Sequence, residues 1–174
     1  MLVGDKSKTM ENITTTSVQK DLFIKIVISN WELQNTRLNK LLDKLTDAQL
    51  AADIAPGKNS GVYLLGHLAA VSDNMLPLLG LGEKLYPQLS AIFLTSPDKG
   101  GPEKPSIAEL KTYWHAINDK LSAAFATLHA DQWFEKHTTI SDEDFAKEPH
   151  RNKLNILINR TNHQSYHLGQ LILL

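Results

Sequence analysis

His163 and His167 stand four residues apart in the run Asn162-His163-Gln164-Ser165-Tyr166-His167-Leu168-Gly169-Gln170-Leu171. On a helix this spacing puts both imidazoles on one face, a turn apart. Two neutral imidazoles so placed can hold one divalent metal from the same side. A third histidine, His67, lies in Leu64-Leu65-Gly66-His67-Leu68, inside the other strongly apolar helical stretch. Three histidine ligands leave a tetrahedral ion one open position, which a catalytic site needs and a closed structural site lacks. His67, His163 and His167 are therefore the candidate metal ligands. Two plainer readings compete. The i,i+4 pair can be a coincidence among the seven histidines of the chain, or the imidazoles can be hydrogen-bonded to one another and to Asn159, Gln170 and Tyr166 at the core edge.

The chain that must position them has 174 residues, 42% of them hydrophobic, enough for one domain with a sizeable core and short for two. A net charge of −1 and the lack of a basic stripe interleaved with aromatics argue against nucleic acid as a partner. The chain has no cysteine, which removes disulfides, thiolate ligands and a Cys nucleophile together. Its first residues are too polar for the apolar core of a signal peptide, and no apolar run is long enough to span a membrane. These features fit a soluble, cytoplasmic protein.

Four long helical segments follow from the apolar spacing. Residues 1–16 are polar and Thr-rich and read as a flexible arm. The domain proper then covers 17–174. Leu38, Leu41, Leu42 and Leu45 at i, i+3, i+4, i+7 belong to a first helix over about 17–45. Thr46-Asp47-Ala48-Gln49 has the form of a capping box and predicts a short helical turn, which Pro56-Gly57 breaks. Ser60 is a natural N-cap for a second helix reaching about Leu79, apolar over most of its circumference, with Pro77 set to bend it or end it early. A long Gly- and Pro-containing connection over 80–105 holds a short helical piece near 89–94. A second capping box, Ser106 to Glu109, opens the third helix to about Leu128. After an irregular stretch over 129–150, the fourth helix starts at Arg151 or Asn152 and runs to Leu174. Four helices with long connections after the second and third make an all-α four-helix bundle. His115, His129, His137 and His150 are expected at the surface, and Trp31, Trp114 and Trp133 in the packing.

Residues 44–76 and 151–174 resemble the DinB/YfiT-like superfamily of metal-dependent bundles. The first segment carries Leu45-Thr46-Asp47-Ala48-Gln49-Leu50, Pro56-Gly57-Lys58 and Gly66-His67-Leu68; the second carries Asn162-His163 through Tyr166-His167-Leu168-Gly169-Gln170-Leu171. The resemblance implies an up-down-down-up bundle with a divalent metal on His67, His163 and His167. Many members place Trp where this chain has Asn59, at the approach to the site, and Glu or Gln where it has Tyr63, which removes a capping box.

Some members of the superfamily are thiol S-transferases, so the resemblance implies a metal-bound thiolate attacking a small electrophile. With no cysteine in the chain, that thiol is a low-molecular-weight cofactor or substrate. Zinc or nickel is the first expectation for the metal, iron or copper the next. Two alternatives stand beside transfer: a metal-hydroxide hydrolase, and a non-catalytic metal- or ligand-binding module with a stress-associated role. No carboxylate is marked as a base, since Asp73 points away from His67 by helical spacing. The apolar second helix, and the helix-packed pairs common in the family, make a homodimer the expected assembly.

Overall fold

Helix starts in this chain are set by side chains that capture the first free backbone amides. Thr46 and Ser106 each form a complete capping box, with Gln49 and Glu109 as the returning partners. Ser60 accepts from the Tyr63 amide, Ser141 from that of Asp144, and Asn152 from that of Asn155. The computed structural model describes the backbone from Gly4 to Leu174 and the side chains from Ser17 onward. The arm expected over residues 1–16 lies outside that fully described range.

The helices are α1 (Gly4–Leu42), α2 (Asp47–Ala51), α3 (Gly61–Asp73), α4 (Met75–Leu78), α5 (Leu89–Phe93), α6 (Ile107–Phe125), α7 (Ala130–Trp133), α8 (Asp142–Lys147) and α9 (Lys153–Leu171). Among the described residues there is no strand, only isolated bridges between Asp53 and Ser60 and between Lys136 and Asn152. The second helix is shorter than its apolar run suggests. Pro77 has no N–H to donate, and its ring crowds the carbonyl four residues back, that of Asp73. The ladder breaks there, and α4 follows as a separate turn after Asn74. The stretch 129–150 is more ordered than its sequence suggests. It holds α7 and α8, the latter opened by Ser141 and by Asp142, Glu143 and Asp144 in its first turn, where carboxylates favour the helix dipole.

α1 and α3 each pack against both α6 and α9, and α3 is further covered by α2 and α5. One continuous core results, with Leu65, Leu68, Leu76, Phe93, Leu110, Ile117, Leu121 and Leu157 almost wholly removed from water. Trp31, Trp114 and Trp133 are all packing residues. Trp31 and Trp133 both meet the Phe125 ring edge-on, and Trp114 donates its indole N–H to Asn39 Oδ1 at 2.8 Å. Ten of the thirteen α3 residues are buried within the chain, so this helix is internal and not the exposed apolar face that a dimer would use. No described helix is long and apolar enough to cross a membrane.

Candidate metal centre

α3 and α9 lie side by side, and their facing surfaces carry the three histidines. His67 Nε2 is 3.3 Å from His163 Nε2, and His163 Nε2 is 3.0 Å from His167 Nε2. One ring nitrogen from each of the three falls within 4.8 Å of the others, the only such cluster of His, Asp or Glu among the described residues. All three rings are half-buried. The triad read from spacing is brought together from positions 96 and 100 residues apart in the chain.

The outer nitrogens decide what the inner ones can do. His67 Nδ1 lies 3.0 Å from the Phe93 carbonyl oxygen, which can only accept. The Nδ1 proton is therefore fixed there, and Nε2 is left as a lone pair aimed at the cluster. His167 Nδ1 lies 2.6 Å from Gln170 Oε1, while Gln170 Nε2 donates to the Tyr166 hydroxyl at 3.2 Å. His167 Nε2 is thus a second inward lone pair. The Gln170 and Tyr166 network is real, but it engages only the outer nitrogen. The meeting of Nε2 atoms admits two states: a His163 Nε2–H donating to one of the inward lone pairs, or three lone pairs turned to one cation. Asn159 takes no part and contacts Asn155 instead.

Charge points the same way. His163 is pushed down to about 4, chiefly by burial and then by the His167, His67 and Arg160 charges around it. His167 is also lowered by burial and by His67, against the opposing Gln170 hydrogen bond. Both shifts favour the neutral ring, the state a metal ligand requires. A tetrahedral ion with ligand distances of about 2.0–2.1 Å sets its corners roughly 3.3 Å apart, close to the two short Nε2 separations here. The donor set fits a divalent cation. His163 Nδ1 is buried without a partner, so its proton is the one not fixed from outside.

The chemistry of these residues is matched by kinship. The DinB superfamily model matches residues 30–171. The chain belongs to the DinB superfamily. Comparison with functionally curated proteins gives no match. Among solved structures, the chain is similar to a conserved protein from Enterococcus faecalis. The TM-score is 0.61 at 15% identity, over 85% of this chain and 92% of that one, a likeness of fold.

In this DinB protein the long connection after α4 supports the site from outside. Gly66, the residue before His67, has no side chain where a Cβ would stand 2.3 Å from the Phe93 ring. That close approach lets α5 lie against α3 and deliver the Phe93 carbonyl to His67. Tyr63 does more than leave a capping box incomplete, because its hydroxyl donates to the Ser96 carbonyl at 2.7 Å. Asp98 is buried and accepts from the Ser60 amide at 2.6 Å, with Lys104 Nζ at 2.9 Å. Burial pushes its carboxyl up, but the Ser60 and Lys104 contacts outweigh this and hold it below the usual range. Asp73 is spent elsewhere, accepting from the Leu85 and Tyr86 amides, and offers the histidine cluster no base.

A cleft of about 280 Å³ opens beside His167 and Gln170. Its far wall is the turn carrying Gly57, Lys58 and Asn59, with Tyr166 at the rim. Asn59 therefore borders the approach to the cleft. Of the remaining histidines, His115, His129 and His150 are exposed as expected. His137 is not. It is buried at 8% exposure, its Nδ1 3.0 Å from the Thr139 hydroxyl, because the segment before α8 folds in against the Leu78 carbonyl through Thr138. The supporting Phe93 contact escaped sequence reasoning because a backbone carbonyl carries no residue-type signal.

Proposed function

We propose that His67, His163 and His167 bind one divalent metal, zinc or nickel in preference to iron or copper, and that the protein is a cytoplasmic metal-dependent thiol S-transferase. The observation that carries this is the convergence of three Nε2 atoms, two of them fixed as lone pairs by acceptors on the opposite side of the ring. A divalent cation held there would leave a position for a small thiol, whose ionisation it favours. The chain's own residues supply the rest. Phe93 and Gln170 hold two rings in register, Leu64 and Ile54 give the cleft an apolar wall, and Lys58, Asn59 and the Tyr166 hydroxyl orient a polar substrate at the mouth. We read the four long helices as an up-down-down-up bundle, consistent with the pairings of α1 and α3 with α6 and α9.

The homodimer we propose uses α1, not α3. Val18, Leu22, Ile26 and Leu33 lie along one side of α1 and are each 45–60% exposed. The metal reading is tested by elemental analysis of untagged protein purified without a nickel column, beside the His163→Ala/His167→Ala variant. Near one metal per chain, lost in the variant, supports the site and justifies screening small thiols against electrophiles. Equal trace metal in both after incubation with zinc or nickel salts refutes it.

A further inference from the structure

A second polar cavity lies between α1 and α6, lined by none of the metal-centre residues, and the proposed function gives it no role. It has a volume of about 210 Å³, with Trp31, Glu32 and Asn35 on one side and His115, Asn118 and Asp119 on the other. The i, i+3, i+4 spacing on each helix makes two polar stripes face one another beside the core, where apolar residues would pack more cheaply. Asn118 is only 8% exposed. Its Nδ2 is used by the Trp114 carbonyl at 2.7 Å, while its Oδ1 is buried with no partner. The neighbouring amide oxygens are already taken, Asn35 Oδ1 by Gln164 and Asn39 Oδ1 by Trp114. Glu32 and Asp119 line the same cavity, and no Lys or Arg among the described residues pairs with either.

We propose that this groove binds a small organic cation carrying a primary ammonium group. The charged groups of the lining are two carboxylates without a cationic partner, and the Asn118 amide oxygen in the same lining lacks a donor; an ammonium supplies three donors and a positive charge. Its charge answers the two unpaired carboxylates, and its stem lies against Trp31. A bare metal ion is the poorer occupant. Glu32, His115 and Asp119 do not bring one ligand atom each within reach of a common ion, since the only such cluster among the described residues is the triad.

The test titrates the full chain with n-butylammonium at constant ionic strength and with EDTA present, so that no amine reaches a metal at the triad. Binding is read by amide NMR shifts, with n-butanol as the neutral control. Saturable shifts confined to residues 31–39 and 115–122, absent with n-butanol, are expected. The Glu32→Gln/Asp119→Asn variant replaces exposed carboxylates isosterically and should keep its melting temperature while binding about tenfold more weakly. Linear, unsaturated shifts, shifts spread over the acidic surface, or unchanged affinity in the variant would overturn the proposal. The His163→Ala/His167→Ala variant should bind the amine as well as the parent, so failure of the metal reading and failure of this one are separable.

Discussion

Gly66→Ala adds one methyl group at the point where α5 meets α3, the helix that carries His67. The new Cβ would lie 2.3 Å from two Phe93 ring carbons and 2.6 Å from a third, against an ordinary contact of 3.4–4 Å. Phe93 must retreat by more than about 1 Å, yet its side chain is fully buried in a close-packed core. Overpacking of this size costs about 3 kcal/mol, and the better helix propensity of Ala returns about 1. The net loss of about 2 kcal/mol corresponds to a melting temperature lower by about 4–8 °C for a chain this long. The retreat also carries the Phe93 carbonyl away from His67 Nδ1, from 3.0 Å to beyond hydrogen-bonding range. Releasing such a support from a metal-bound histidine weakens metal affinity by about 10–100-fold. Thermal unfolding with the metal chelated measures the first effect, and chelator competition measures the second. An unchanged or raised melting temperature, or a melting loss with full metal affinity, would refute the coupling of Gly66, Phe93 and His67.

Gln170→Leu removes the acceptor that fixes His167 Nδ1 while keeping side-chain bulk, so metal affinity should drop about 10–100-fold with helicity by circular dichroism unchanged. Asp98 has a folded-state pKa below its unfolded value, so its contribution is complete above about pH 4 and is lost as pH falls through the lowered value. Urea midpoints measured from pH 6 downward should therefore fall less steeply in Asp98→Asn than in the parent; parallel curves would exclude this role. Ile26→Glu places a charge in the exposed row on α1 and should turn a dimer into monomer by sedimentation without lowering the melting temperature by more than about 1 °C. A dimer unchanged by it would place the interface elsewhere.

What the sequence made legible was whatever residue type and spacing encode directly. The i,i+4 histidines, the capping boxes at Thr46 and Ser106 and the apolar stripes depend on neighbours in the chain, and each is found where its pattern lies. Pro77 was legible in kind and not in position, because its steric conflict is with Asp73 four residues earlier. His137 was misplaced for the opposite reason. Its burial comes with Thr138 pairing to the Leu78 carbonyl sixty residues away, a contact that no local pattern encodes. The apolar circumference of the second helix suggests an interface by sequence, because the sequence does not show that α2, α5, α6 and α9 together cover it.

The long connection between α4 and α6 shows how position and support are divided in this fold. Helical spacing alone can bring His163 and His167 together, but a ligand from another helix needs its ring fixed by something outside both helices. Phe93 provides that through a carbonyl. Ser96 and Asp98, within five residues of it, hold Tyr63 and the Ser60 amide at the start of the same helix. Three contacts from one segment thus fix the first two turns of α3, from its cap to His67. A shorter link from α4 to α6 would pass the end of α3 near Asp73, leaving the His67 ring free to turn. The connection is long because it forms the outer wall of the histidine cluster, and its contacts to Tyr63, Ser60 and His67 depend on that length.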